Sequence, residues 1–180
     1  MNALYALDFS ILDFIQSHLR SGFGDAVMPF ITHLGDGGAV WIALDLGLLA
    51  VPKTRRVGAA LTAGLVLEAT CCNLLLKPFV ARVRPCNINT AVQLLVPRPT
   101  DFSFPSGHTG ASFAAASALY FSRSRLWSTA LVLAVLIAFS RLYLYVHYPT
   151  DVLAGALLGI MLGWLGSVAV SAVERKRHEV

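Results

Sequence analysis

Charge is scarce in this chain: 13% of its 180 residues are Asp, Glu, Lys or Arg, whereas 56% are hydrophobic. That balance excludes an ordinary soluble globule and points to an integral membrane protein. Cysteine is sparse too. Cys71, Cys72 and Cys86 form no Cys-x-x-Cys pair, so neither a disulfide framework nor a cysteine metal site is expected. They read as packing residues, with a bridge from Cys86 to one of the pair as the alternative. The N-terminus lacks the basic region of a secretory signal, and Asp8 and Asp13 interrupt its first apolar stretch. Neither a Walker sequence nor a Gly-x-Ser-x-Gly elbow occurs, which removes the usual nucleotide-phosphate cradle and the serine-hydrolase turn. The sequence pI is about 9.2, yet Lys and Arg fall in short clusters between apolar spans and build no continuous basic face. Nucleic acid is therefore not an expected partner.

What is present is a series of apolar runs. Leu4, Leu7, Ile11, Phe14, Ile15 and Leu19 recur at three- and four-residue steps, with Asp8, Asp13, Gln16 and Ser17 opposite. The pattern is that of an amphipathic helix. Residues 1–25 suit a helix lying in the membrane interface, although an acidic polar face also fits packing on protein. Spans are expected over 26–51, broken near Gly35–Gly38, and over 57–76, with Pro78 stopping the helix. Three more follow over 106–122, 126–145 and 150–173. The expected fold is an all-α polytopic membrane bundle of five to six transmembrane helices, residues 26–173, followed by a basic cytoplasmic tail, residues 174–180. Gly155, Gly159 and Gly163 fall four apart on the last helix and offer a face for close approach, within the bundle or at a dimer seam. The oligomeric state is not encoded in any pattern. Tyr143, Tyr145, Tyr148 and Trp127 read as interfacial anchors, the tyrosines alternatively as lining of a substrate entrance.

The basic residues sort by side. Lys53, Arg55, Arg56, Arg123, Arg125, Arg175, Lys176 and Arg177 fall on one face of a five-span arrangement, which the positive-inside rule makes cytoplasmic. The opposite face receives Lys77, Arg84, Arg141, His108, His147 and Asp151. Cations on that side break the rule unless they bind something anionic. In Ser140–Asp151 alone, Arg141, His147 and Asp151 at the mouth of an apolar segment read equally as a functional set or as a snorkelling Arg141 before a solvated loop. Two upstream stretches break that tie: Lys77-Pro-Phe-Val-Ala-Arg-Val-Arg84-Pro85 and Pro105-Ser106-Gly107-His108.

The three motifs, Lys-x6-Arg-Pro, Pro-Ser-Gly-His and Ser-Arg-x5-His-x3-Asp, resemble in order and without substitution those of the type 2 phosphatidic acid phosphatase superfamily of membrane lipid phosphatases, related in motif to vanadium haloperoxidases. The resemblance covers roughly residues 30–170. Residue chemistry agrees with it. Lys77, Arg84 and Arg141 supply three positive charges for a phosphate ester, and the two guanidinium groups can fork onto its oxygens. Ser106 reads as a phosphate donor, and Ser106 and Gly107 sit where a helix begins, so backbone N–H groups and the helix dipole can face the same anion. The resemblance further implies His147 as the nucleophile, Asp151 as the group orienting its imidazole, and His108 as general acid and then base. No cofactor is implied. A metal held by His108, His147 and Asp151 is disfavoured because three neighbouring cations would repel it.

A lipid phosphate or diphosphate in the bilayer is the expected partner, undecaprenyl diphosphate first and phosphatidylglycerophosphate or phosphatidic acid next, with the active site on the extracytoplasmic side of a bacterial cell membrane. A lipid phosphotransferase using the same phosphohistidine remains open, as does a non-catalytic phospholipid transporter. His33, Asp36, Asp45 and Glu68 are ionisable within or near spans and each reads as a relay or substrate contact in principle, Glu68 without an assigned role. For Asp36 a helix-break role is favoured over substrate contact.

Overall fold

The computed structural model describes residues 3–178, and among these every regular element is helical. Helix α1, Ala3–Phe14, continues through a π-helical turn, Ile15–Leu19, to an extended Arg20. Its stripe is inverted relative to a helix on a soluble protein. Leu4, Leu7 and Phe14 are about half exposed, whereas Asp8 and Leu12 are fully buried. Leu4, Leu7 and Phe14 are thus left uncovered by protein, while Asp8 and Leu12 dock on it, as does Ile15 of the stripe, which is 5% exposed.

Ser21 begins α2, Gly22–Leu34, where its hydroxyl accepts from the backbone N–H of Gly24 at 3.1 Å. A 45° bend separates α2 from α3, Ala39–Ala50. Gly37 and Gly38 make that corner at φ 58° and 76°, the left-handed region in which glycine alone is unstrained. The corner lies where the expected first span was interrupted.

Helix α4, Arg55–Ala69, does not stop at Pro78. It passes through a π-helical turn, Thr70–Leu76, into α5, Lys77–Val80, and ends where Ala81 turns left-handed at φ 48°. The wider π turn shifts the backbone ladder just ahead of the proline, so the ring is accommodated and the missing N–H is not needed there. A short α6, Pro85–Ile88, interrupts the loop that follows. Then come α7, Gly107–Phe121, α8, Trp127–Tyr143, and α9, Pro149–His178. Residues 55–88 and 149–176 are each long and apolar enough to cross a bilayer, and α2 with α3 does so as a bent pair. At 15 and 17 residues, α7 and α8 are shorter than the roughly 20 a straight span uses. Phe23, Phe30, Leu74, Phe79, Val132, Leu153 and Leu157 all expose more than half of their surface, as side chains solvated by lipid do.

The glycine face of α9 packs inside the bundle. A Cβ at Gly159 would stand 2.3 Å from the carbonyl oxygen of Gly110, and one at Gly163 2.3 Å from that of Ala114. Backbone therefore meets backbone between α7 and α9, which lets the alanines of α7 fill the centre of the molecule. Trp41, Leu61, Leu119 and Ile137 complete that core, and the Trp41 indole N–H donates to Ser112 Oγ at 3.0 Å.

The tyrosines at the end of α8 are buried and do not anchor an interface: Tyr143, Tyr145 and Tyr148 expose 3%, 0% and 0%. Carboxylates from the N-terminal segment account for this. Tyr145 donates to Asp13 and Tyr143 to Asp25, both at 2.8 Å, and the Tyr148 ring meets Tyr5 and Phe9 edge-on. The acidic face of α1 is in this way stitched to the turn that carries His147.

Candidate active site

A cavity of about 710 Å³ opens where the α2–α3 corner, the start of α5, the loop 96–101, the start of α7 and the end of α8 meet. Lys77, Arg84, Gly107, His108, Arg141 and His147 all line it. Ser106 and Asp151 do not. Ser106 is fully buried, with its hydroxyl taken by Thr109 Oγ1 at 3.0 Å and its N–H bonded to the carbonyl of Asp151 at 3.1 Å. It shapes the turn that presents Gly107 and His108, whose N–H groups in the first helical turn lack intrahelical acceptors.

Arg84 is 3% exposed and reaches several groups at once. NH1 donates to the carbonyl of Val146 at 2.7 Å and to His147 Nε2 at 2.9 Å, while Nε donates to the carbonyl of Asp101 at 2.9 Å. A guanidinium has no lone pair to offer. His147 Nε2 must therefore be the unprotonated nitrogen, and the ring proton sits on Nδ1, facing Asp151 Oδ2 at 3.5 Å. Nδ1 has no hydrogen-bond partner at that distance. Burial first, and then the charges of Arg84 and Arg141, hold the His147 imidazole well below its ordinary range. The ring is neutral at pH 7, with its unprotonated nitrogen bonded to the Arg84 guanidinium in the wall of the cavity.

Asp151 is buried behind the ring and heavily bonded. Oδ2 accepts from Ser103 Oγ at 2.5 Å and from the N–H of Tyr148 at 3.0 Å, and Oδ1 accepts from Arg82 NH1 at 2.6 Å. Arg82 also donates to Asp8 Oδ2 at 2.6 Å, and Asp8 in turn accepts from the N–H and hydroxyl of Thr150 in the first turn of α9. Arg141 is 5% exposed. Its NH1 donates to Thr32 Oγ1 at 2.5 Å and its Nε lacks a partner. His108 Nε2 lies 2.8 Å from Asp36 Oδ1, and the other oxygen of that carboxylate lies 2.6 Å from His33 Nδ1. Among the described residues no three His, Cys, Asp or Glu side chains gather as metal ligands.

The profile of the PAP2 superfamily matches residues 57–175. The chain belongs to the PAP2 superfamily. An undecaprenyl-diphosphatase of Sulfolobus acidocaldarius is 39% identical over 158 residues, spanning 87% of this chain and 74% of that protein. The crystal structure of Aquifex aeolicus LpxE matches with a TM-score of 0.77 at 30% identity, covering 89% of this chain and 94% of that one. The first transmembrane PAP2 type phosphatidylglycerolphosphate phosphatase from Bacillus subtilis matches with a TM-score of 0.76 at 29% identity, covering 98% and 88%. This PAP2 protein is accordingly an integral membrane enzyme that hydrolyses lipid phosphate esters.

Three groups at or behind the PAP2 cavity have partners that the sequence reading did not pair with them. Arg82 stands within the quoted Lys77–Pro85 stretch, but its partners Asp8 and Asp151 are 74 and 69 residues away. Asp36 is 72 residues from His108. Asp101, in the proline-rich loop, pairs with both Lys77 and Arg84. The available signal was an acid interrupting an apolar stretch, since a buried Asp8 requires a partner.

Proposed function

We propose that the chain dephosphorylates undecaprenyl diphosphate at the extracytoplasmic face of a bacterial cell membrane, without a metal, through a phosphohistidine on His147. The observation that carries this reading is the unprotonated Nε2 of His147, held at 2.9 Å from Arg84 in a cavity that Lys77 and Arg141 also line. The terminal phosphate takes its oxygens to Lys77, Arg84, Arg141 and the N–H groups of Gly107 and His108, which stabilise charge developing on phosphorus. Nε2 attacks phosphorus, the bond from phosphorus to the bridging oxygen breaks, and His108 gives that oxygen its proton. Water then attacks the phosphohistidine, His108 takes a proton from it, and the phosphorus–nitrogen bond breaks to release inorganic phosphate. Asp151 balances the positive charge that builds on the imidazole while Nε2 is phosphorylated. The Ser106 hydroxyl supports the Pro-Ser-Gly-His turn.

Metal independence is supported by charge, because three cations already neutralise the phosphoryl oxygens. The polyprenyl substrate is supported by the undecaprenyl-diphosphatase similarity, and the outward orientation by the basic clusters on the opposite face. The test is phosphate release by the purified protein in detergent with excess chelator, offering undecaprenyl diphosphate, phosphatidylglycerophosphate and phosphatidic acid in parallel. Fastest release from undecaprenyl diphosphate under chelator is expected. A different rank order overturns the substrate, and recovery only on adding a divalent metal overturns the mechanism.

A further inference from the structure

Two of the three cations expected to receive the phosphate are already bonded to an anion of the chain itself. The Asp101 carboxylate pairs through Oδ2 with Lys77 Nζ and accepts through Oδ1 from Arg84 NH2 at 2.6 Å. The cations are largely buried, Lys77 at 12% and Arg84 at 3% exposure, whereas the Asp101 side chain is 50% exposed. It belongs to the loop 96–101, which lines the same cavity and carries Pro97 and Pro99. A carboxylate and a phosphate cannot both take these donors in full, so any anion entering the cleft must displace Asp101 from them. Burial by itself would raise the Asp101 carboxyl, but its bond to Lys77 and the charge of Arg84 pull it down to about 2, so this internal anion stays charged across physiological pH.

We propose that Asp101 is an internal competitor for the phosphate cleft: its carboxylate holds Lys77 and Arg84 until an anion displaces it, which keeps weakly held phosphodiester headgroups of bulk lipid from filling the cleft. The inference rests on the cleft being the phosphate site proposed above. An open, tricationic cleft at the membrane surface would face phosphodiester lipids in vast excess over substrate. A diester headgroup bears one negative charge on two free oxygens, so it replaces Asp101 like for like and gains nothing from the exchange. A terminal phosphate brings about two charges and three free oxygens, enough to engage Arg141 Nε as well, which has no partner. The displacement cost is common to every anion. It weakens each by the fraction of time the cleft is vacant and leaves their ratio unchanged, so a weak binder no longer saturates the cleft at its ambient concentration whereas a tight binder still occupies it.

That common cost gives a signature a merely structural residue would not produce. The full-length protein in detergent micelles is compared as wild type, Asp101→Asn and Asp101→Glu. Phosphatidic acid is the substrate, with phosphatidylglycerol and inorganic phosphate as inhibitors. In Asp101→Asn both inhibition constants should fall by the same factor, about tenfold or more, where tenfold corresponds to ~1.4 kcal/mol. The Glu variant should stay close to wild type. Unchanged or weaker inhibition in Asp101→Asn overturns the proposal and makes Asp101 a strut for Arg84. If the Asn variant turns over too slowly to assay, its thermal shift with inorganic phosphate and with phosphatidylglycerol replaces the inhibition constants, and the same two outcomes decide. A wild type that releases no phosphate from any lipid counts against the phosphatase reading, whereas the binding comparison still decides the part of Asp101.

Discussion

Replacing Arg82 by Met keeps the length of the side chain and removes its charge. Arg82 is 9% exposed on its side chain, and its partners Asp8 and Asp151 are 1% and 0% exposed. Both carboxylates bond it at 2.6 Å, and its guanidinium carbon lies 3.9 Å from the Tyr148 ring centroid. Without the cation, two buried acids face each other uncompensated. Breaking such a pair costs ~3–5 kcal/mol. The lower end applies because Asp8 keeps both bonds from Thr150, and Asp151 keeps Ser103 and the N–H of Tyr148. The melting temperature in detergent should drop by roughly 6 °C or more. Turnover should fall by about 10²-fold, the scale expected when a reacting group is misplaced by ~1 Å, because Asp151 loses its Oδ1 partner and shifts relative to His147. Adding Asp8→Asn to Arg82→Met removes one of the two stranded charges, so the double variant should recover at least ~1 kcal/mol of the loss. If Arg82→Met melts and turns over like the wild type, or if Asp8→Asn deepens the defect, the buried network does not hold the nucleophile.

Asp36→Asn should lower kcat by about tenfold or more at nearly constant KM, since the carboxylate holds the proton-transfer group, His108, and not the phosphate; a change in KM alone would contradict that part. Gly159→Val places a Cβ 2.3 Å from the carbonyl oxygen of Gly110 and 2.9 Å from the N–H nitrogen of Ala114. It should cost at least ~1–3 kcal/mol in a melting experiment, and an unchanged midpoint would mean that α7 and α9 pack less closely. The folded chain holds His147 neutral, whereas the unfolded chain protonates it near pH ~6.5. The unfolded state then binds more protons, so His147 lends stability that is complete above about that pH and is lost as the pH falls further. Melting curves of His147→Gln should accordingly depend less on pH than those of wild type between about 6.5 and 5, and equal slopes would show that His147 does not contribute.

The three motifs announced themselves because each is short and contiguous, and the fold brings Lys77, Arg84, Gly107, His108, Arg141 and His147 to one cavity. The helices α7, α8 and α9 were equally legible, since α7 stops at Ser122, α8 starts just after Leu126 and α9 starts at Pro149. The stop expected at Pro78 was not, because a π turn depends on backbone geometry that residue preferences do not record. Tyr143, Tyr145 and Tyr148 have the composition of a membrane belt. What buries them is the acidic face of a helix more than a hundred residues earlier. Shorter separations, of 17 to 74 residues, hid the partners of Arg82, Asp36 and Asp101. Their ion pairs leave no periodic trace, and only the acid interrupting the first apolar stretch gave a hint of Asp8. Ser106 could be read as a phosphate donor only while the Thr109 hydroxyl one turn away was left out of account.

The covalent step can be caught directly. The purified protein is mixed with a substoichiometric lipid phosphate carrying label on its terminal phosphorus, quenched in base within one turnover, digested and mapped by mass spectrometry. A phosphohistidine intermediate predicts an acid-labile, base-stable phosphate on the peptide containing His147, absent from His147→Ala together with turnover. Label on Ser106, or substantial turnover by His147→Ala, would contradict His147 as the nucleophile.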